Sequence, residues 1–437
     1  MKKLRAIVVI FAAAVATPLF SAEPSQKPHV GGSRVGLPTS FGALQFRTDI
    51  NPALRYYQAF LEMPNLPETD HQELFVREWR GQPLDKRFGE LVCRYDVEFR
   101  FLREAARAEV ACDWGIDLTE GPDALLPGLA RAKAAAQVTR FRVMWHLKNG
   151  RQAEARDDLL AAFTLGRNVS RDGVLVSALV QIAMENIIES VVAENFFQWQ
   201  PETLQQIVNG LNAAPARGTI ARCIPAERQS FHDWLLRKVQ ELQQESSGNG
   251  ARTVERLSEL FARVGGEAEP DKEFAAQVIK AGGGTADGVL MLIRELSPLY
   301  DKVTVLMNLP HGPFEEQLAQ FMAEVDQNPN PLVPKLFKVF ARCRTKEFAA
   351  VIKQAMVRAG VEYKLRGEAG LKSVTDPCGD GPFAVRRFVF EGEDRGFELR
   401  SAYDGLGYPA LLIFVEKNGT PFMIDGKNAG KRFPASN

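Results

Sequence analysis

Hydrophobic residues recur every three to four positions along most of this chain, and only near its C-terminal end does the period fall to two. Phe88, Leu91, Val92, Tyr95, Phe99, Leu102 and Ala106 share one face of a helix predicted over 84–110, with Arg and Glu on the other. Asn51-Pro52 supplies a cap and a first-turn proline for an earlier helix ending near Met63. Helices over 123–149 and 152–169 form a predicted antiparallel hairpin, because Asn149-Gly150 can take the left-handed conformation that closes a helix. Leu147, Gly150, Glu154-Ala155 and Ala162 match one tetratricopeptide-like unit, but no second copy follows at a period of about 34 residues. Further helices are predicted near 201–213, 224–245, 251–264, 285–308, 313–326 and 331–366, with a glycine loop at Gly282-Gly283-Gly284.

From Asp376 the alternation is that of strands, over 383–391, 396–402, 410–417 and 420–425. Asn418-Gly419 between the last two is a two-residue hairpin signal. The predicted fold class is mainly α: an irregular antiparallel helical array over 53–366, with a small C-terminal antiparallel β-meander over 367–437 packed on the helices.

Two segments break the amphipathic pattern. In 1–22, Lys2, Lys3 and Arg5 precede an apolar run over 6–16 that is too short to span a bilayer, the layout of a cleaved secretory signal peptide. The following 23–52 is rich in Pro, Gly and Ser and reads as an extended arm. The mature chain is therefore expected to be periplasmic or secreted, and no cysteine near the apolar run suggests a lipid anchor. The second segment, 174–197, is the most apolar of the mature chain, yet Gln181, Glu185, Asn186 and Glu189 interrupt it. Charges at a bilayer centre cost about 2.5–3.5 kcal/mol each, so this is predicted to be the central helix of the array and not an integral membrane span.

Ser177, Gln181, Glu185 and Glu189 recur at four-residue steps and so form a polar stripe along that helix. The stripe is a possible binding surface for a ligand or a partner peptide. The competing and preferred reading is a narrow solvated seam, or a buried network with neighbouring arginines, and a solvated seam would make Glu185→Gln cheap.

Composition narrows the chemistry. The 437 residues are 45% hydrophobic and 25% charged, enough for a sizeable core. Lys+Arg and Asp+Glu both number 54, so no net field attracts nucleic acid or anionic lipid. Five dispersed cysteines offer no zinc or thioredoxin-like spacing. Cys93 and Cys112 make a poor disulfide, since a helix running on from Cys93 to residue 109 would carry the chain about 24 Å. The five histidines form no i, i+4 pair, and His232, which follows Glu227, reads as a helix-surface histidine. No nucleophile elbow is present, and Gly282-Gly283-Gly284-Thr285 lacks the Lys-Ser/Thr of a phosphate loop. In Asp376-Pro377-Cys378-Gly379-Asp380-Gly381 the calcium ligand order is missing, and turn chemistry is expected: Pro377 fixes φ, Gly379 and Gly381 permit positive φ, and the aspartates bond to nearby amides. No cofactor and no metal site is predicted.

Cys112-Asp113-Trp114-Gly115, Leu126-Pro127, Asn149-Gly150-Arg151 with Ala155 and Asp158-Leu159-Leu160, and Ser177-Ala178-Leu179-Val180 resemble a group of exported, uncharacterised bacterial helical proteins. The tail 376–383, followed by Gly396-Phe397-Glu398-Leu399-Arg400-Ser401, is similar to that group's "DPFGxGPF … GFELRS" ending, and also to the glycine-turn β tail of pseudopilins. The resemblance covers 84–245 and 345–402, and the chain departs from it at Cys378, where the group has an aromatic residue. It implies a helical fold and export, and no activity. The expected function is a non-enzymatic binding or scaffolding module with a protein or other envelope partner, the alternative being an envelope hydrolase assembled from dispersed residues.

Overall fold

The Asn51 side chain accepts from the Ala53 amide at 3.0 Å and Pro52 sets the first turn, so α1 (Pro52–Glu62) begins where the cap signal places it. The computed structural model describes residues 47–433 apart from 247, 267–268 and 419–421; the predicted signal peptide, all but the end of the arm, and the Asn418-Gly419 hairpin lie outside the described residues in whole or part. The protein is mainly helical with one small antiparallel sheet at its C-terminal end.

After a short turn, α2 (Glu68–His71), the helix predicted over 84–110 divides into α3 (Lys86–Cys93) and α4 (Asp96–Ala106). A tight turn at Arg94–Tyr95 resets the rotation, burying Phe88, Leu91, Phe99 and Leu102 while turning Val97 to solvent. The next helix starts later than predicted, at α5 (Leu129–Lys148), because Pro127 disfavours helical backbone in the residue before it. α5 and α6 (Gln152–Val169) form the expected hairpin, with Gly150 in the left-handed region at φ 71°.

α7 (Leu175–Glu194) lies against α5, α6 and later elements. Among the described residues it is the one helix long and apolar enough to cross a membrane, but most of it is buried within the protein, so its place is the core. α8 (Pro201–Ala213) packs on α6. The stretch predicted over 224–245 becomes α9 (Ile220–Glu227), a π-turn and α10 (Trp234–Glu245), since Pro225 removes an amide from the helical ladder.

α11 (Gly250–Gly265) packs on α12 (Lys272–Ala281), a helix the sequence pattern did not single out. The Gly282–Gly284 connector leads to α13 (Ala286–Arg294), and Pro298 separates it from α14 (Ser297–Met307), so 285–308 is two helices. α15 (His311–Gln327) and the long α16 (Leu332–Lys372), broken in its backbone at Gly367, complete the helices.

The sheet has β1 (Ala384–Phe390), β2 (Glu393–Arg400) and β3 (Leu411–Val415) in that order, antiparallel throughout, with a bulge at Phe388/Val389. Of the fourth predicted strand, the described residues 422–425 make only isolated bridges, Leu412 with Asp425 and Phe422 with Arg432. Phe397 stacks on Phe414, and Phe196 at the end of α7 packs edge-on against both. A Cβ on Gly360 of α16 would stand 2.4 Å from the Phe414 ring, so helix and sheet meet at a distance only glycine permits.

The turn over 376–381 is closed by an aspartate bonding nearby amides, as expected, but its glycines do not take the expected conformation. Neither Gly379 nor Gly381 has positive φ. The buried Asp376 carboxylate organises the turn by accepting from the Cys378 and Ala402 amides and the Ser401 hydroxyl. Gly379 is small because a Cβ there would crowd Asp376 Oδ2 at 3.1 Å.

Candidate functional site

All four residues of the polar stripe point into the protein, each with no exposed surface. The partners of three of them come from three places in the chain, the 170–172 turn, α6 and the loop between α8 and α9. Ser177 donates to Asp172 Oδ2 at 2.7 Å, and Asp172 also accepts from the Val174 amide, so this carboxylate closes the N-terminus of α7. The Glu227 carboxylate of α9 reaches the same helix end and accepts from the Leu175 amide at 2.7 Å. Burial pushes the Glu227 carboxyl up to about 7.

One turn on, Gln181 Oε1 accepts from the Ser170 hydroxyl and from the Gly218 amide, the latter at 2.9 Å, which fixes the loop between α8 and α9 against α7. Glu185 then meets two arginines: Arg167 Nε of α6 and Arg217 Nη2 of that loop each lie 2.7 Å from one of its oxygens. Gln354 of α16 accepts from both arginines, at 3.0 and 3.1 Å. The contacts to Glu185 have ion-pair distances without hydrogen-bond alignment. Burial drives the Glu185 carboxyl upward, while Arg217 and Arg167 pull it back.

Glu189 is a different case. Neither of its oxygens has a hydrogen-bond partner among the described residues. Burial, then the charge of Glu185 one turn away, push its carboxyl up to about 8 against the pull of Arg217 and Lys353. Beyond it, Lys353 of α16 donates to Ser190 Oγ at 2.7 Å and to the Asn186 carbonyl at 2.9 Å, and pairs with Asp425 of the tail. Although burial opposes ionisation, the Lys353 ammonium and the Ser190 hydroxyl hold the Asp425 carboxyl below the usual range.

The four stripe residues therefore form one buried line, of which Ser177, Gln181 and Glu185 tie α7 to the turn before it, to α6 and to the α8–α9 loop, while Glu189 makes no hydrogen bond among the described residues. The arrangement is the buried network and not the solvated seam. Sequence reasoning missed Arg167, Arg217, Lys353, Gln354 and Asp425. Arg167 and Lys353 carry a detectable signal, a charge within an otherwise apolar helical run, whereas Arg217 sits in a loop without periodicity.

Two further polar clusters lie in the helical core. Asp158 of α6 is fully buried and bonded by Arg103 and by Arg142 Nε at 2.7 Å, with His146 Nε2 3.1 Å away. Burial opposes ionisation of this carboxyl, but His146 and the two guanidiniums hold it below its ordinary range. Glu98 of α4 is also fully buried, and neither oxygen has a partner among the described residues. Burial pushes it up to about 8, with Arg142 and Arg131 opposing.

His232 is not a surface residue: the π-turn rotates it inward, where it packs edge-on against Tyr300 and bonds Asp233. All five cysteines are free thiols, with Cys93 exposed at the end of α3 and Cys112 buried. Among the described residues no three His, Cys, Asp or Glu side chains converge as ligands for a metal ion. Comparison with known protein families, with curated proteins and with solved structures finds no match, so the functional reading rests on this chain's own geometry.

Proposed function

We propose that this chain is an exported, non-enzymatic helical scaffold of the cell envelope that binds another envelope protein. The observation that carries the reading is the use of the stripe: Ser177, Gln181 and Glu185 lock the central helix to three neighbouring segments, a use of polar groups that favours a rigid frame. Export rests on the basic start and short apolar run of 1–22. What the surface offers a partner is apolar: Leu54 and Leu61, two turns apart on α1, are 58% and 82% exposed, and Leu125 is 75% exposed. Phe60 on the buried face of α1 abuts Gly128, so the chain just beyond Leu125 passes beside α1.

The test is cross-linking in intact cells, followed by N-terminal sequencing of the purified protein. A scaffold gives a chain processed before residue 24 and a discrete protein adduct. The adduct should disappear in a normally folded Leu54→Asp, Leu61→Asp double variant. A cytosolic protein that keeps Met1 would refute export, and an adduct indifferent to the two aspartates would refute the α1 surface.

A further inference from the structure

Cys223 on α9 and Cys343 on α16 are both buried, at 1% and 2% exposure. The alignment of their two helices can be read from side chains on either side of them. At one end the Ile220 amide donates to Glu347 Oε2 at 3.4 Å. At the other, His232 packs on Tyr300, whose ring packs on Phe337 with centroids 5.0 Å apart. The chain thus ascends from 220 to 232 while its neighbour descends from 347 to 337, so the two segments run antiparallel. Cys223 lies three residues past Ile220, and Cys343 lies four residues before Glu347. At about 1.5 Å per residue these are displacements of roughly 4.5 and 6 Å in the same direction along one seam. That register brings both cysteines to about the same level where α9 meets α16.

The electrostatic surroundings agree with this placement. Burial pushes the Cys343 thiol up to about 12, and Glu227 and Glu347 act on it; burial also raises Cys223, which feels Glu227, Glu347 and Cys343 itself. Thiols held in this way are poor nucleophiles in the folded protein. A bond between them would accordingly have to be made while the chain folds, when both sulfurs are still solvated.

We propose that Cys223 and Cys343 form an intramolecular disulfide that staples α9 to α16 when the chain folds in the presence of a disulfide donor. One cysteine thiolate attacks the donor disulfide, giving a mixed disulfide and expelling a donor thiolate. The second cysteine thiolate attacks the protein sulfur of that mixed disulfide and expels the other donor thiolate. Two electrons pass from the cysteines to the donor, and the two thiol protons end on its sulfurs. The bond encloses α10 to α15 in a closed loop, and a long loop is where a cross-link most restricts the unfolded chain. Its occurrence in the cell rests on the export proposed above, because a reducing cytoplasm keeps thiols free.

The decisive experiment unfolds the purified chain in urea, refolds it with oxidised and reduced glutathione, and maps thiols by maleimide labelling and peptide mass spectrometry. Two of the five thiols should become protected, in one linked peptide joining Cys223 to Cys343. The melting temperature should rise by about 5 °C or more and fall back on reduction. The double variant Cys223→Ala, Cys343→Ala should show no response to glutathione. Five free thiols after oxidative refolding, or a bond involving Cys93, Cys112 or Cys378 instead, would overturn the staple. The peptide map of the unmodified chain needs no variant to fold. It also separates the two ideas: a staple that forms in glutathione, in a protein later found cytosolic with Met1 intact, leaves the geometry standing and removes only the export.

Discussion

Glu185 and Glu189 differ by one helical turn and by nothing in local sequence character, yet their replacements should behave differently. Removing the Glu185 charge leaves Arg167 and Arg217 buried without an anion, and stranding one side of a buried pair costs about 3–5 kcal/mol. Chemical denaturation of Glu185→Gln should therefore show a large loss, where a solvated seam would have made the change cheap. Glu189 has no hydrogen-bonded partner among the described residues to strand, and near neutral pH it is held mostly protonated. Glu189→Gln should stay within about 1 kcal/mol of the parent at pH 7. Equal losses in the two variants would contradict the pairing seen here.

Glu98 gives a pH signature at the same scale. Its folded-state pKa, about 8, lies above the ordinary 4.5, so between those values the folded protein holds a proton that the unfolded chain has released. The resulting stability is whole below about pH 4.5 and is lost as pH rises through about 8. Glu98→Gln cannot lose that proton. Melting curves of parent and variant should run parallel at acid pH and diverge in the variant's favour from pH 5 to 8. A constant offset across that range would show that Glu98 is ionised in the fold.

At the scale of elements, the β tail and the central helix act as one unit. Phe196, just past the end of α7, sits against Phe397 and Phe414, Lys364 of α16 donates to the Phe196 carbonyl at 2.7 Å, and Lys353 joins Ser190 to Asp425. A meander of three short strands is marginal alone, so these contacts stabilise both partners. Phe414→Ala should cost about 3–5 kcal/mol in urea unfolding, through lost burial and the cavity it leaves. Truncation after Lys372 should lower the melting temperature or yield insoluble protein. An unchanged midpoint in the truncated chain would mark the tail as an independent appendage.

For the molecule as a whole, the sequence by itself determined the helical character of most of the chain, the switch to strands near its end, the α5–α6 hairpin and the core position of α7. These follow from signals that act within a few residues, namely an apolar residue every third or fourth position, a capping Asn51 and a left-handed Gly150. Helix ends were less legible where one residue tips a balance, as at Tyr95, Pro225 and Pro298. The stripe of Ser177, Gln181, Glu185 and Glu189 was visible as a pattern, and its meaning was not. Arg217 and Lys353 are far from it in the chain, and only the packing of α6, α16 and the α8–α9 loop around α7 brings them to it. The tertiary structure alone decided which carboxyls are paired and which are held neutral, and which cysteines share a seam. The physical reason is that periodicity is a property of neighbours along the chain, whereas desolvation and charge pairing depend on neighbours in space.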